Sequence, residues 1–495
     1  MKPAGFDNEL YLKLQSRKIR ERIEQFGGKL YLEFGGKLFD DYHASRVLPG
    51  FEPDSKVRML TQLRDEVEIV VVINAGDIER SKRRGDLGIT YDQEALRLID
   101  AFRAAGLYVG SVVVTHYGGQ EAAVQFIKRL GALGVKTYRH FPIDDYPANI
   151  PLILSDDGFG KNEYAATERR LVVVTAPGGG SGKMAVCLSQ LYHEHMKGCE
   201  AGYAKYETFP VWSLPLQHPV NLAYEASTAD LSDVIMLDPF HLEAYGETAV
   251  NYNRDIGVFP VLQTMFERIM GTSPYKSPTD MGVNMAGFCV TDDEAVLEAS
   301  KQEIVRRYFD ALCARRQGFG GQAAVVKTEL LMNKVGMTAA GRPVVPAALE
   351  RSARTGGEPA VAIRLSDGRV VTGKTTPLLG AAAAALLNAL KMLGNIHKKI
   401  KLISPNIIKP IQHLKVNHMG NTNPRLHTDE VLIALTICAA TNPTAELAME
   451  QLENLKDCEA HSTVLLSRVD EHTFQRLGVN LTCEPKYQTE KVYHK

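Results

Sequence analysis

Short apolar runs alternate with helically spaced stretches through the first part of the chain. Lys29–Phe34, Glu68–Asn74, Tyr108–Thr115 and Lys136–Phe141 are the candidate strands, the second and third nearly continuous in apolar residues, as strands are when helices cover both faces of their sheet. Gln93–Ala105 and Gly119–Leu133 have helical spacing and fall between the later strands. This is the logic of βαβ units, and it predicts a parallel sheet. Ahead of it, Leu10–Phe26 sets Leu14, Ile19, Ile23 and Phe26 on one stripe with basic residues between, which predicts a helix with a solvated face. Pro142–Arg169 is polar and rich in Pro, Gly and Asp, as a connector would be. The alternation then resumes with strand Leu171–Thr175, helix Met184–His195, strands Gly202–Tyr206 and Val234–Asp238, and helices Val258–Met270 and Asp292–Gln317.

The pattern changes after Gln317–Gln322 (QGFGGQ), whose glycines predict a hinge or boundary. Pro359–Lys374 reads as a hairpin about an Asp-Gly turn. Pro377–Ile396 is an Ala/Leu helix with Pro near its start. Thr428–Ala440 and Thr444–Leu455, the second capped by Thr444, read as helices, and Ser462–Ser467 as a strand. The expectation is an α/β chain of mostly parallel sheet with flanking helices and a C-terminal α+β domain, divided into 1–165, 166–320 and 321–495.

The segment carrying most chemistry is RLVVVTAPGGGSGKMAVCLSQLYHEHMKG, Arg170–Gly198. A strand, a loop of four glycines with one serine and one proline, a lysine and then a helix are the context of a phosphate loop. Gly178, Gly179, Gly180, Ser181 and Gly182 would offer backbone N–H donors to one anion, helped by the positive end of the helix dipole. Lys183 would supply a point charge. The GxxxxGK[ST] pattern is missed twice. Pro177 replaces the first Gly, and Met184 replaces the Ser/Thr that would ligate Mg²⁺. Lys205, at the end of the next strand, is expected to reach the same crevice. Asp238 closes the apolar run VIMLD and is expected to ligate Mg²⁺ at the sheet edge, with a turn-capping role as the alternative. Lys183, Lys205 and Asp238 are thus the candidate catalytic residues, and ATP with Mg²⁺ the candidate cofactor.

Three other patterns carry less. Gly368–Thr375 (GRVVTGKT) fits the phosphate-loop expression letter for letter, yet its glycine belongs to a hairpin turn and its valines to a strand, so no cradle forms there. His193-Glu194-His195 is not a zinc motif, because residues two apart on a helix face nearly opposite ways. The segment His413–Asp429, with His418, Asn421, Asn423, Arg425 and His427, is a candidate contribution to a site, with a rigid packed loop as the alternative.

Composition removes some classes of function. With 57 basic and 58 acidic residues the chain is near neutral, so no nucleic-acid partner is expected. The longest apolar run, Leu378–Leu387, is too short for a bilayer, and MKPAGFDNEL has no apolar signal region. Seven scattered cysteines without a CxxC pair suggest a reducing, cytoplasmic setting. The expected partner is a small anionic or phosphorylated molecule, and the chain's size allows a homo-oligomer.

The stretch from about 170 to 210 resembles dethiobiotin synthetase and related phosphate-loop proteins. That resemblance implies a loop lysine, here Lys183, and a Gly-Tyr-x-Lys lysine, here Lys205, on phosphate and substrate carboxylate. The related loop KGGxGK[ST] carries a signature lysine where this chain has Gly178. AIRLSDGRVVTG with the Ala-rich helix is similar to the first hairpin and helix of the cytidine-deaminase-like fold. The zinc ligands and catalytic Glu expected there are absent at Leu378-Leu379-Gly380-Ala381, so deamination would not follow. Over its whole length, through VVVTAPGGGSGKM, GYAKYETFPVW, HPVNLAYEASTADLSDV, DPFHLEAYG, NYNRD and NHMGNTNPRLHTDE, the chain resembles a bacterial family of the domain-of-unknown-function type. A peptidase label sometimes given to that family finds no support in these residues. Together these features lead us to expect phosphoryl transfer or ATP-dependent activation of a carboxylate. A non-catalytic ligand-binding or assembly protein with a degenerate loop is the alternative.

Overall fold

A computed structural model describes residues 5–84, 88–231 and 233–489; of the amino-terminal MKPAGFDNEL, the first four residues lie outside it. The chain divides into two units. One holds residues 4–225 and 233–299, the other 226–232 and 300–495.

The first unit is built on six strands: β1 (Leu30–Phe34), β2 (Val67–Asn74), β3 (Tyr108–Thr115), β4 (Lys136–Arg139), β5 (Leu171–Thr175) and β6 (Gly202–Tyr206). They lie in the order β4-β3-β2-β5-β1-β6, and every pairing is parallel. β1 and β5 are buried along their whole length, as their largely apolar sequences require; the one charged residue, Glu33 of β1, accepts from the Tyr203 hydroxyl at 2.7 Å. Helix Tyr91–Ala104 starts at a Thr90/Gln93 capping box and buries Tyr91, Ala95, Leu98, Ile99 and Phe102, a single helical stripe. The expected division at 165/166 is therefore corrected. β5 inserts between β2 and β1, and β6 pairs with the far side of β1, so one sheet spans both regions.

This order creates a switch in direction. From β2 the chain steps outward to β3 and β4, whereas from β5 it crosses β1 to reach β6. Right-handed crossovers put helices from the two directions on opposite faces. A crevice consequently opens at the carboxyl ends of β2 and β5, the place where open α/β sheets bind ligands. A separate antiparallel ribbon pairs β7 (Ile235–Leu237) with β8 (Val250–Tyr252).

The second unit carries a four-stranded mixed sheet of β9 (Ala360–Arg364), β10 (Val370–Lys374), β11 (Glu459–Ser462) and β12 (Asn480–Cys483), in the order β10-β9-β11-β12. The β9–β10 hairpin turns at Asp367-Gly368, as its sequence predicts. Helix Ala381–Leu393 packs its apolar face, with Leu386, Leu387 and Leu390, into the core of this unit. Three expectations are corrected. The unit begins near residue 300 rather than 321. The strand expected at Ser462–Ser467 is Glu459–Ser462, because the backbone leaves the sheet to let Ser467 cap the next helix. Asn442, not Thr444, caps helix Pro443–Met449 by accepting the Thr444 N–H.

Candidate functional site

The loop after β5 sits in the crevice. Three residues from neighbouring strand ends and helices hold it. Asn74, at the end of β2, donates from Nδ2 to Gly180 O at 3.4 Å, and Thr115, at the end of β3, donates from Oγ1 to Ser181 O at 2.7 Å. The hydroxyl of Tyr91 abuts Gly178 so closely that a Cβ there would lie 2.3 Å from it. Ser181 is buried and donates its own hydroxyl to Gly178 O at 2.8 Å. Gly182 is the cap of helix Lys183–Met196 with φ 86°, a left-handed conformation that glycine adopts without strain.

The three hydrogen bonds all use carbonyl oxygens of the loop and engage none of its N–H donors. The first helical bond runs from Val186 N–H to Gly182 O. Among the described residues, the N–H groups from Gly178 to Ala185 have no partner, and neither does the half-buried Lys183 ammonium. A run of unpartnered N–H groups at a helix amino terminus with one lysine is an anion cradle by its electrostatics. Asn74, Tyr91 and Thr115 were missed from sequence. The usable signal was position, since Asn74 and Thr115 end predicted strands.

Lys205 does not join this loop. β6 lies beyond β1, and the Lys205 ammonium sits 2.5 Å from Asp255 Oδ2 and 3.0 Å from Glu207 Oε1. Burial opposes its charge, but Asp255, Glu207 and Glu33 outweigh burial and raise its pKa. Burial also pushes Glu207 up to about 7, with Lys205 pulling it down and Asp255 adding to the rise. These groups line an open cleft, walled by Trp212, Asn251 and Asn284. Glu207 was missed as well. It follows Lys205 by two residues, and strand periodicity puts both on one face.

Asp238 stands as a helix cap. At the start of helix Pro239–Tyr245 its Oδ1 accepts the N–H groups of Phe240 and His241, both at 3.1 Å. Its Oδ2 accepts from Thr279 N at 3.2 Å and Thr279 Oγ1 at 2.6 Å. β7 belongs to the ribbon rather than the parallel sheet, so the expected Mg²⁺ ligand at the sheet edge is instead a buried cap. With Met184 at the usual Ser/Thr position and the Ser181 hydroxyl engaged, the residues around the loop do not fit Mg²⁺. In the His193-Glu194-His195 cluster, His193 turns to Asn162 O at 2.9 Å. Glu194 turns to Lys29, Tyr31 and Tyr164, and His195 is exposed. Asn423, Arg425 and His427 line a cleft in the second unit.

The first unit is thus an α/β protein of parallel sheet with a glycine-rich, donor-bearing loop at the point where its strand order reverses. Family models described as domain of unknown function DUF1846, N-terminal and C-terminal, match residues 4–336 and 340–493. The chain belongs to this DUF1846 family. It is similar to the UPF0371 protein of Streptococcus pneumoniae serotype 19F (strain G54), 57% identical over 495 residues with 100% of each chain covered. It is likewise similar to the UPF0371 protein of Streptococcus equi subsp. equi (strain 4047), 58% identical over 493 residues, again with 100% of each covered. No helix among the described residues is long and apolar enough to cross a membrane.

Proposed function

We propose that the protein binds a phosphate-bearing small molecule, a nucleotide or a phosphorylated metabolite, at Gly178–Lys183. The observation that carries this reading is the unpartnered N–H run from Gly178 to Ala185 with the unpartnered Lys183 ammonium, set at the switch point of the sheet. Such a cradle takes a phosphoryl group through backbone dipoles and one charge, without a metal. Lys205 and Asp238, the other two residues expected to assist chemistry, are engaged elsewhere. That favours binding over phosphoryl transfer as the role of the loop.

Calorimetric titration of the whole chain with ATP, ADP and pyrophosphate, each with and without Mg²⁺, tests the proposal. The expected result is binding that does not need Mg²⁺ and that Lys183→Ala weakens by about tenfold or more, the worth of one charge-assisted contact. Absence of binding by the wild type, or equal binding by Lys183→Ala, would overturn it.

A further inference from the structure

We propose a second anion site, in the unit that begins at residue 300: the cleft at the amino-terminal end of helix Ala381–Leu393, which takes the phosphoryl group of a small phosphomonoester. It goes beyond the loop reading and does not rest on it.

The helix end is open. Gly380 is its cap and offers no side chain. The Gly380 N–H donates to Leu426 O at 3.1 Å, and the first helical bond joins Ala384 N–H to Gly380 O at 3.0 Å. The N–H groups of Ala381, Ala382 and Ala383 are left without acceptors at the positive end of a helix of 13 residues.

A second observation is independent of the helix. Thr375 lines the same cleft, is only 4% exposed, and its Oγ1 is buried with no hydrogen-bond partner. Buried hydroxyls are nearly always paired in folded proteins, so an orphan in the wall of a cleft marks a place where a ligand atom can complete the set.

The cations are arranged to match. Arg425 fixes its guanidinium by donating from Nε to Thr376 O at 3.0 Å, leaving its Nη groups for the cleft. His427, which lines the cleft, donates from Nδ1 to Asp470 Oδ2 at 2.9 Å, which raises its pKa. The Asp470 carboxylate is fully used. Besides His427 it accepts from Thr428 N and Thr428 Oγ1, both at 2.9 Å, and from Ser467 Oγ at 2.8 Å.

The ligand class follows from the number of these groups and from the wall beside them. Three backbone N–H groups, a hydroxyl, a guanidinium fork and an imidazole exceed what the two oxygens of a carboxylate can accept, whereas three phosphoryl oxygens can use them. Leu426, Val464 and Leu466 give the open cleft an apolar wall against which an organic body can lie.

Hydrogen–deuterium exchange of the full chain, with inorganic phosphate and with phenyl phosphate as probes, tests the site directly because its donors are free amides. Exchange in peptides covering Ala381–Ala383 is expected to slow with either probe, and at lower concentration with phenyl phosphate. Arg425→Ala and the near-isosteric Thr375→Val are each expected to weaken the response about tenfold. The peptide covering Gly178–Ala185 should behave as in the wild type in both variants, and Lys183→Ala should leave the Ala381–Ala383 response intact. If Arg425→Ala does not fold, Thr375→Val carries the comparison alone. No slowing up to about 20 mM of either probe, a range that covers millimolar binding, would overturn the proposal. So would a response that survives both variants or vanishes in Lys183→Ala.

Discussion

Replacing Asp238 by alanine separates the two roles its sequence allows, a metal ligand at a sheet edge or a structural cap. The structure gives the carboxylate four hydrogen bonds, to Phe240 N, His241 N, Thr279 N and Thr279 Oγ1, and leaves it 1% exposed. Loss of the cap costs about 1 kcal/mol. Two Thr279 donors left without an acceptor in a buried place add about 1 kcal/mol each. The expected destabilisation is therefore about 3 kcal/mol. Asp238→Asn keeps an oxygen for the cap but turns an amide toward Thr279, so its cost should be about half as large. The assay is built in. Trp212 is the chain's one tryptophan, and it lies 6.1 Å, ring to ring, from His241 in the helix that Asp238 caps. Urea unfolding followed by its fluorescence reports on this neighbourhood. The loss should be the same in EDTA and in about 5 mM Mg²⁺, since a ligand that binds only the native state would stabilise it by mass action. The reasoning is refuted if Asp238→Ala unfolds within about 0.5 kcal/mol of wild type. It is refuted too if Mg²⁺ stabilises the wild type and not the variant.

Two further outcomes follow from the same unit. Burial pushes Glu207 up to about 7 from an ordinary 4.5. A carboxyl with a raised folded pKa contributes its stability in full below the unfolded value and loses it as pH rises through the folded one. Glu207→Gln, which never ionises, should therefore gain on wild type between about pH 5 and pH 8, by about 1–3 kcal/mol, and parallel pH profiles in urea unfolding would contradict this. Gly178→Ala would set a Cβ 2.3 Å from Tyr91 Oη and 2.7 Å from its Cζ, against a ring only 9% exposed. It should cost about 1–3 kcal/mol, and Tyr91→Leu in the same chain should recover about 1 kcal/mol of it. Strictly additive losses in a double-mutant cycle would show that the two side chains do not touch.

Local structure was legible in the sequence, because local chemistry decides it. Tyr108–Thr115, Leu171–Thr175 and Gly202–Tyr206 run as strands between the very residues their apolar runs mark. The glycine-rich loop was legible for the same reason, since glycines, a lysine and a following helix are neighbours in the chain. Sheet order was not legible. A strand buried on both faces is apolar throughout and carries no mark of which strand it pairs with, so nothing in LVVVT told that it inserts between β2 and β1. The error over Lys205 descends from that one. The residue does stand near a strand end, but on the strand beyond β1, with Asp255 of helix Asn253–Met270 beside it. Asp238 failed differently. A carboxylate before Pro239 satisfies both a Walker-type pattern and a helix cap, and only Thr279, distant in sequence, decides between them.

The commitments of Lys205 also set what the loop can do. Adjacent strands lie about 4.8 Å apart, so β6 is about 10 Å from β5 across β1. A lysine could cover much of that span only by leaving its partners. Its ammonium holds two carboxylates at 2.5 Å and 3.0 Å with a side chain 15% exposed. Breaking such charge-assisted contacts costs about 1.5–3 kcal/mol each, and it would leave Asp255 and Glu207 facing one another without their cation. A ligand anion on the loop would have to repay that whole cost to recruit Lys205, in competition with the unpartnered Lys183 already beside it. The lower-energy arrangement keeps the two lysines apart, with Lys183 and the loop amides on the phosphate and Lys205 neutralising its own acids. An anion held by amides and Lys183 is bound and oriented, and charge developing on a departing phosphoryl group would not be met by Lys205, which stays with Asp255 and Glu207.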